Sequence, residues 1–292
     1  MMKRWFAVLC AACCLSLSLA VTVEAAPPPF IEVKACGVSP AGDEAAARAD
    51  AQRKAVEKTL SKMLARNDDP ASVYQKMLAN YRAYATAPDV TSKKDGDGGL
   101  ELYSKVTVKL ADLHTDVVKE VSALQRKHGD AQTGFLLRVR GLPAGMEDTG
   151  QKKVTTVIET TFQNLGFATD NALDELAGTM KTHAGEDYGT FTSNVGAVVH
   201  RDYPEITNAV LGEVEVEEIA QDADGVTVRG TIRLTGIDMV RGTQGTPFAT
   251  AEEAYTLRDI DMTKVLDLFL YKAGLNAARS LEDQTLTYWQ VH

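Results

Sequence analysis

The sequence predicts an α/β chain of the α+β kind: two small domains, each a mixed or antiparallel sheet packed against helices. Three observations point there. Segments with strand-like alternation and segments with helix-spaced apolar stripes follow one another along the chain. A polar stretch over residues 126–133 separates two such sets. About 267 of the 292 residues lie beyond residue 25, enough for one large or two ordinary domains. The expected division is a signal peptide over 1–25, a first α/β domain over 26–131 and a second over 132–292.

The N-terminus reads as an export signal. Lys3 and Arg4 precede an apolar run from Trp5 to Val23, broken by Ser16, Ser18 and Thr22. Val23-Glu24-Ala25 places compact residues three before and one before a cleavage point after Ala25. A retained anchor would need roughly 20 clearly apolar residues, and this run is rich in Ala, Cys and Ser. A lipoprotein signal fits Cys10, Cys13 and Cys14 poorly. The expected location is therefore the periplasm, with no stable membrane insertion after cleavage. Cys36 alone then remains, too few for an internal disulfide, and is read as a small buried strand residue.

Elements of the first domain follow in order. Residues 30–38 form a strand reaching Gly37. Asp43 caps a helix from Glu44 to about Arg66, with Val56, Leu60, Met63 and Leu64 as its stripe and small alanines that let it lie close on a sheet. Asp69-Pro70 starts a second helix, reaching about Tyr81. Residues 82–91 read as a strand and 93–99 as a loop of turn residues. Residues 100–110 alternate as a strand, with an irregularity expected where the face breaks between Leu102 and Tyr103. Asp112 caps a helix carrying Val117, Val118, Val121 and Leu124.

The second domain restarts the pattern. A strand over 135–142 leads to a helix over 149–165, ended by Gly166 in the left-handed position. Phe167 begins a short strand. Residues 172–183 and 188–202 are helical. Residues 208–220, 226–240 and 247–258 are strands, and a strongly apolar helix runs from Met262 to about Leu281. Pairing Glu217 with Arg229, Glu213 with Arg233 and Val214 with Ile232 sets opposite charges across a hairpin. That register needs an odd loop, 222–224, because a one-residue slip flips every side chain.

No catalytic, cofactor-binding or metal-ligating residue is assigned, and no cofactor is expected. His114, His128, His183, His200 and His292 lack the i, i+4 spacing by which one helix face grips zinc, and are read as solvated. There is no Gly-x-Ser-x-Gly elbow and no phosphate loop. Gly242-Thr243-Gln244-Gly245 reads as a hairpin connection. Asp95, Asp97 and Glu101 supply half the oxygens a calcium loop needs, and Asp222 with Asp224 fewer. Asp and Gly are also turn residues for their own backbone reasons. Glu213, Glu215 and Glu217 are read as a solvated strand face. The formal charge of −9 becomes −10 once Lys3, Arg4 and Glu24 leave. An acidic body argues against nucleic acid and against charge-driven docking on anionic lipid.

The strand ending in Gly37, the Ala-rich run Asp43–Val56, Asn80-Tyr81-Arg82-Ala83-Tyr84, the strand Glu101–Val108 and the stretch Leu113–Leu124 together resemble the N-terminal domain of the flagellar assembly protein T family and the related LPP20-type envelope domain. The second half, with Asn164-Leu165-Gly166-Phe167 and Asp170, is similar to that family's middle domain, which is like the N-terminal domain of TolB. The chain ends where the family's third, β-rich domain is expected to begin, so the resemblance does not extend to a role that relies on that domain. The resemblance implies a non-enzymatic periplasmic assembly factor, with protein partners in the envelope or flagellar basal body. The alternative is a periplasmic small-ligand or calcium-binding module.

Overall fold

The computed structural model describes residues 28–96, 98–183, 185–241 and 245–291. The segment 1–27, which holds the expected export signal, lies outside them, as do Asp97, Ala184, Gly242-Thr243-Gln244 and His292. The chain is an α+β fold with two sheets, one of three antiparallel strands and one of five mixed strands, each packed with helices.

The first sheet has the order β1-β3-β2. β1 (Ile31–Ser39) pairs antiparallel with β3 (Gly99–Val108), and β3 with β2 (Asp89–Gly96). α1 (Glu44–Leu60) starts where expected: Asp43 accepts hydrogen bonds from the backbone N–H groups of Ala45 and Ala46. Ala47, Ala51 and Ala55 are fully buried. The helix lies so close to β1 that a Cβ on Gly37 would sit 1.9 Å from the Ala47 carbonyl oxygen. Only the absent side chain allows this approach.

Several expectations here are corrected. α1 stops at Leu60, not Arg66, and Met63 and Leu64 follow in a turn. Asp69-Pro70 is a turn, since the Asp69 carboxylate accepts the Ala71 N–H; Ser72 caps α2 (Val73–Ala79) instead. Residues 82–91 divide between α3 (Tyr81–Tyr84) and the start of β2. The loop expected over 93–99 is largely strand, because β2 runs to Gly96, which faces Gly99. β3 itself does not break: Ser104 takes the inward position between Leu102 and Val106. The irregularity falls in β2 between Val90 and Ser92, opposite Ser104 and Tyr103. Asp112 lies in the first turn of α4 (Leu110–Lys127) rather than capping it.

The second sheet has the order β5-β4-β6-β7-β8. β4 (Thr133–Arg140) runs parallel to the two-residue β5 (Thr169–Asp170) and to β6 (Asn208–Asp222). β6, β7 (Gly225–Asp238) and β8 (Thr246–Asp259) form an antiparallel meander. α5 (Glu147–Asn164) ends at Gly166, whose φ is 90° as its cap position requires. The segment Ala172–His183 is a 3-10 helix rather than an α-helix, and α6 is Tyr188–Asp202. α7 (Met262–Val291) runs ten residues past the expected end. Its last turns, with Thr285, Leu286 and Trp289 buried, look polar in sequence but pack against the rest of the chain.

The hairpin expectation is half right. Glu213 faces Arg233 and Val214 faces Ile232, as the charges required. The loop, however, is the two residues Ala223-Asp224, because Asp222 pairs with Gly225. The extra residue sits within β6, where the register shifts between Val216 and Glu218. A bulge there restores the face that a two-residue loop alone would have flipped.

One apolar cluster runs from Val33 and Val106 through Leu113 and Val121 to Phe162, Phe269 and Trp289. It joins the two sheets across the polar stretch 126–133, in which Ala131 and Thr133 are buried. Gln125 is buried at this junction, donating to the Ala131 carbonyl at 2.7 Å and accepting the Ala168 N–H at 3.0 Å.

Candidate interaction surface

Alternation along the strands gives the five-stranded sheet two different faces. Val210, Val214, Ile232, Leu234 and Ala251 point to α5 and α7 and are buried. The opposite face is apolar at one end only. There Leu136, Leu211 and Ile237 pack beneath Leu173, Phe191 and Val195 of the 3-10 segment and α6. Beyond Leu211 the same face becomes charged. The register aligns Arg138, Glu213, Arg233 and Glu252 as successive neighbours across β4, β6, β7 and β8.

This row is anchored in the interior and opens to solvent. Arg138 and Glu213 are 2% and 1% exposed. Arg138 donates Nε to Glu213 Oε2 at 2.6 Å, and Arg140 donates Nη2 to Glu213 Oε1 at 3.1 Å. The remaining Arg138 nitrogens donate to the carbonyls of His183 and Glu186, and its guanidinium lies 4.2 Å from the Phe191 ring centroid. The pair therefore holds the 3-10 segment and the start of α6 onto the sheet. Beside it Tyr188 donates to the Leu211 carbonyl at 3.1 Å, and burial pushes its hydroxyl up to about 12. Outward along the sheet the groups are exposed. Arg233 pairs with Glu252 at 3.2 Å, and this bond raises the Arg233 pKa. Arg229 reaches Glu217 at 3.3 Å and Glu218 at 3.5 Å.

The glutamate face is thus solvated only in part: Glu213 is buried, while Glu215 and Glu217 are partly exposed. Its partners Arg138 and Arg140 were not singled out in sequence. The available signal was two arginines alternating through an otherwise apolar strand.

The other singled-out residues fall elsewhere. Asp95 pairs with Leu100 beside the β2–β3 turn, and Glu101 accepts the Tyr103 hydroxyl at 3.0 Å. Asp222 and Asp224 lie 2.6 and 3.9 Å from Arg258. Among the described residues, no three His, Cys, Asp or Glu side chains converge as a metal ion would need. Four of the histidines read as solvated have partners, and the fifth, His292, lies outside the described residues. His114 meets the Asn164 carbonyl, His183 meets Glu186 and His200 meets the Met239 carbonyl. His128 is nearly buried, its ring 5.6 Å from those of Tyr288 and Trp289 and its Nε2 3.8 Å from Asp238. Tyr288 donates to Asp238 at 2.8 Å; burial first and this carboxylate second push its hydroxyl up to about 12. Cys36 is half-buried rather than buried, on the sheet surface opposite Tyr103.

No family model matches the chain, and no curated protein matches it. Among solved structures the chain is similar to lipoprotein GNA1162 of Neisseria meningitidis, at 10% identity and a TM-score of 0.33, over 50% of this chain and 96% of that one. It is similar to protein CT253 of Chlamydia trachomatis at 8% identity and 0.38, over 56% and 99%. The LpoB C-terminal domain of Salmonella enterica gives 8% identity and 0.26, over 48% and 94%. Likeness at these scores carries no argument about family or role.

Two grooves also lie on the surface. One of about 390 Å³ lies between α5 and the 3-10 segment, with Asp148, Lys152, Glu159 and Asp174 in its walls. Burial, and Asp174 second, raise the Glu159 pKa. The other, about 340 Å³, lies between Phe248 on β8 and Tyr288 on α7. Among the described residues, no helix is long and apolar enough to cross a membrane.

Proposed function

We propose that this chain is a non-enzymatic structural or interaction protein of the cell envelope. It works in the periplasm after export, as an assembly factor for flagellar or other envelope structures. The observation that supports this reading best is the open end of the sheet face, where Arg229, Arg233 and Glu252 are held in strand register, Glu217 joins them from the β6 bulge, and all four are left uncovered. Ordered charges on a rigid sheet give orientation and selectivity toward a protein of complementary pattern. The export-type pattern of the N-terminus supports the periplasmic part of this reading, and the acidic net charge disfavours nucleic acid as the partner.

The test is purification of the native chain from envelope fractions, with its companions identified. Basal-body or outer-membrane components are expected with the parent chain and absent with Arg229→Glu/Arg233→Glu. Recovery of the parent chain free of other proteins in every envelope fraction would overturn the reading.

The groove between α5 and the 3-10 segment favours a second reading, a small-ligand or calcium-binding module. A ligand selective for the folded state must raise the melting temperature. A melt unchanged by calcium and by a panel of small polar solutes removes it.

A further inference from the structure

Open strand edges invite another strand, and folded proteins cover or interrupt them. This chain does so at most of its edges. On β1, Lys54 of α1 donates to the Cys36 carbonyl and Asp50 accepts the Val38 N–H. β2 is bulged and carries Lys93 and Lys94. The 3-10 segment packs along β4 beyond the short β5. The free end of β6 carries the bulge between Val216 and Glu218.

β8 is treated differently. At Thr250 the Gln284 side chain of α7 accepts the backbone N–H at 3.2 Å and donates to the carbonyl at 3.0 Å, as a neighbouring strand would. That contact fixes which backbone groups face outward: those of Thr250 and, by alternation, of Glu252, Ala254, Thr256 and Arg258. The β7–β8 register is unbroken through these residues. From Glu252 to Arg258 the edge has no bulge, no proline, no lysine and no side-chain cover resembling Gln284.

We propose that this edge takes a second copy of the same chain, β8 pairing antiparallel with the partner's β8 about a two-fold axis at Tyr255. The backbone chooses the register, because outward-facing residues must oppose outward-facing residues. The argument for self-pairing is charge. In that register Glu252 stands opposite the partner's Arg258 and Arg258 opposite the partner's Glu252, while Ala254 faces the partner's Thr256. Both charged side chains are about half exposed, at 56% and 47%, and their present ion pairs, with Arg233 and Asp222, are solvent-exposed ones that exchange at little cost. A two-fold contact is self-complementary by construction, and this strand meets that condition at its only charged outward positions. The result is a continuous ten-stranded sheet across two chains. The inference goes beyond the envelope reading, since it holds whichever other protein meets the charged face.

The test is the mass in solution of the full chain purified after export, by sedimentation velocity across the micromolar range, with folding checked by circular dichroism. The parent chain is expected to be a dimer. Ala254→Pro, which removes an outward N–H and leaves the β7 ladder intact, is expected to be a monomer with an unchanged spectrum. Glu252→Arg opposes like charges and is expected to be monomeric, and Glu252→Arg/Arg258→Glu is expected to restore the dimer. A parent chain that is monomeric throughout, leaving the edge to some other occupant, overturns the proposal. So does a folded Ala254→Pro that remains dimeric.

Discussion

Replacing Glu213 by leucine should be among the most damaging single changes in this chain. Glu213 and Arg138 are both almost wholly buried, so solvent does not screen their interaction. Removing one member of such a pair leaves an uncompensated charge, at a cost of about 3–5 kcal/mol. The structure also predicts an asymmetry. Glu213→Leu removes the buried carboxylate that both Arg138 and Arg140 contact, and strands the buried Arg138 charge while Arg140 keeps Glu215 at 3.3 Å. Arg138→Met leaves Glu213 with Arg140 at 3.1 Å and should cost less. It should act locally instead, because Arg138 also holds the carbonyls of His183 and Glu186. The double variant Arg138→Met/Glu213→Leu should recover part of the loss, since neither member of the buried ion pair is then left as an uncompensated charge. Urea unfolding of the four proteins gives the free energies, and hydrogen exchange over residues 183–190 reads the local effect. If Glu213→Leu costs no more than Asp202→Ala, which removes an exposed, solvent-screened ion pair with Arg201, the reasoning is refuted.

Three further outcomes are expected. Gly37→Ala should destabilise by about 1–3 kcal/mol or more, since its methyl would overlap the Ala47 carbonyl; thermal melts would show it, and an unchanged midpoint would contradict the close packing of α1. Glu282 is buried without a hydrogen bond at Oε1, and desolvation raises its pKa well above the ordinary value. The native state therefore holds a proton that the unfolded state releases, so its contribution to stability is full below about 4.5 and is lost as pH rises toward the folded value; Glu282→Gln should stabilise increasingly with pH, and a pH-independent difference would count against this. Gln125→Ala should cost about 1–3 kcal/mol by orphaning the Ala131 carbonyl and the Ala168 N–H, with faster exchange at Ala168 as the specific sign.

Local signals carried much of the architecture. The Asp43 cap, the alanine face of α1 and the glycine ending α5 are decided within a few residues, so they were legible. Opposite charges on adjacent strands likewise paired Glu213 with Arg233. The misses came where two local options were nearly equal. Asp69-Pro70 can open a helix or a turn, and Asn67 and Ser72 around it decided for the turn.

The sequence by itself determined the order of strands and helices and which side of most strands is apolar, because hydrophobic periodicity is a property of neighbours along the chain. Tertiary structure alone decided that Glu213 lies buried between Arg138 and Arg140, which come from a strand more than seventy positions earlier. It alone placed the odd residue of the hairpin in a bulge rather than the loop, since either satisfies the same alternation. It alone left one stretch of β8 uncovered. Whether a strand is central or at an edge depends on which strands lie beside it, and no local pattern contains that information.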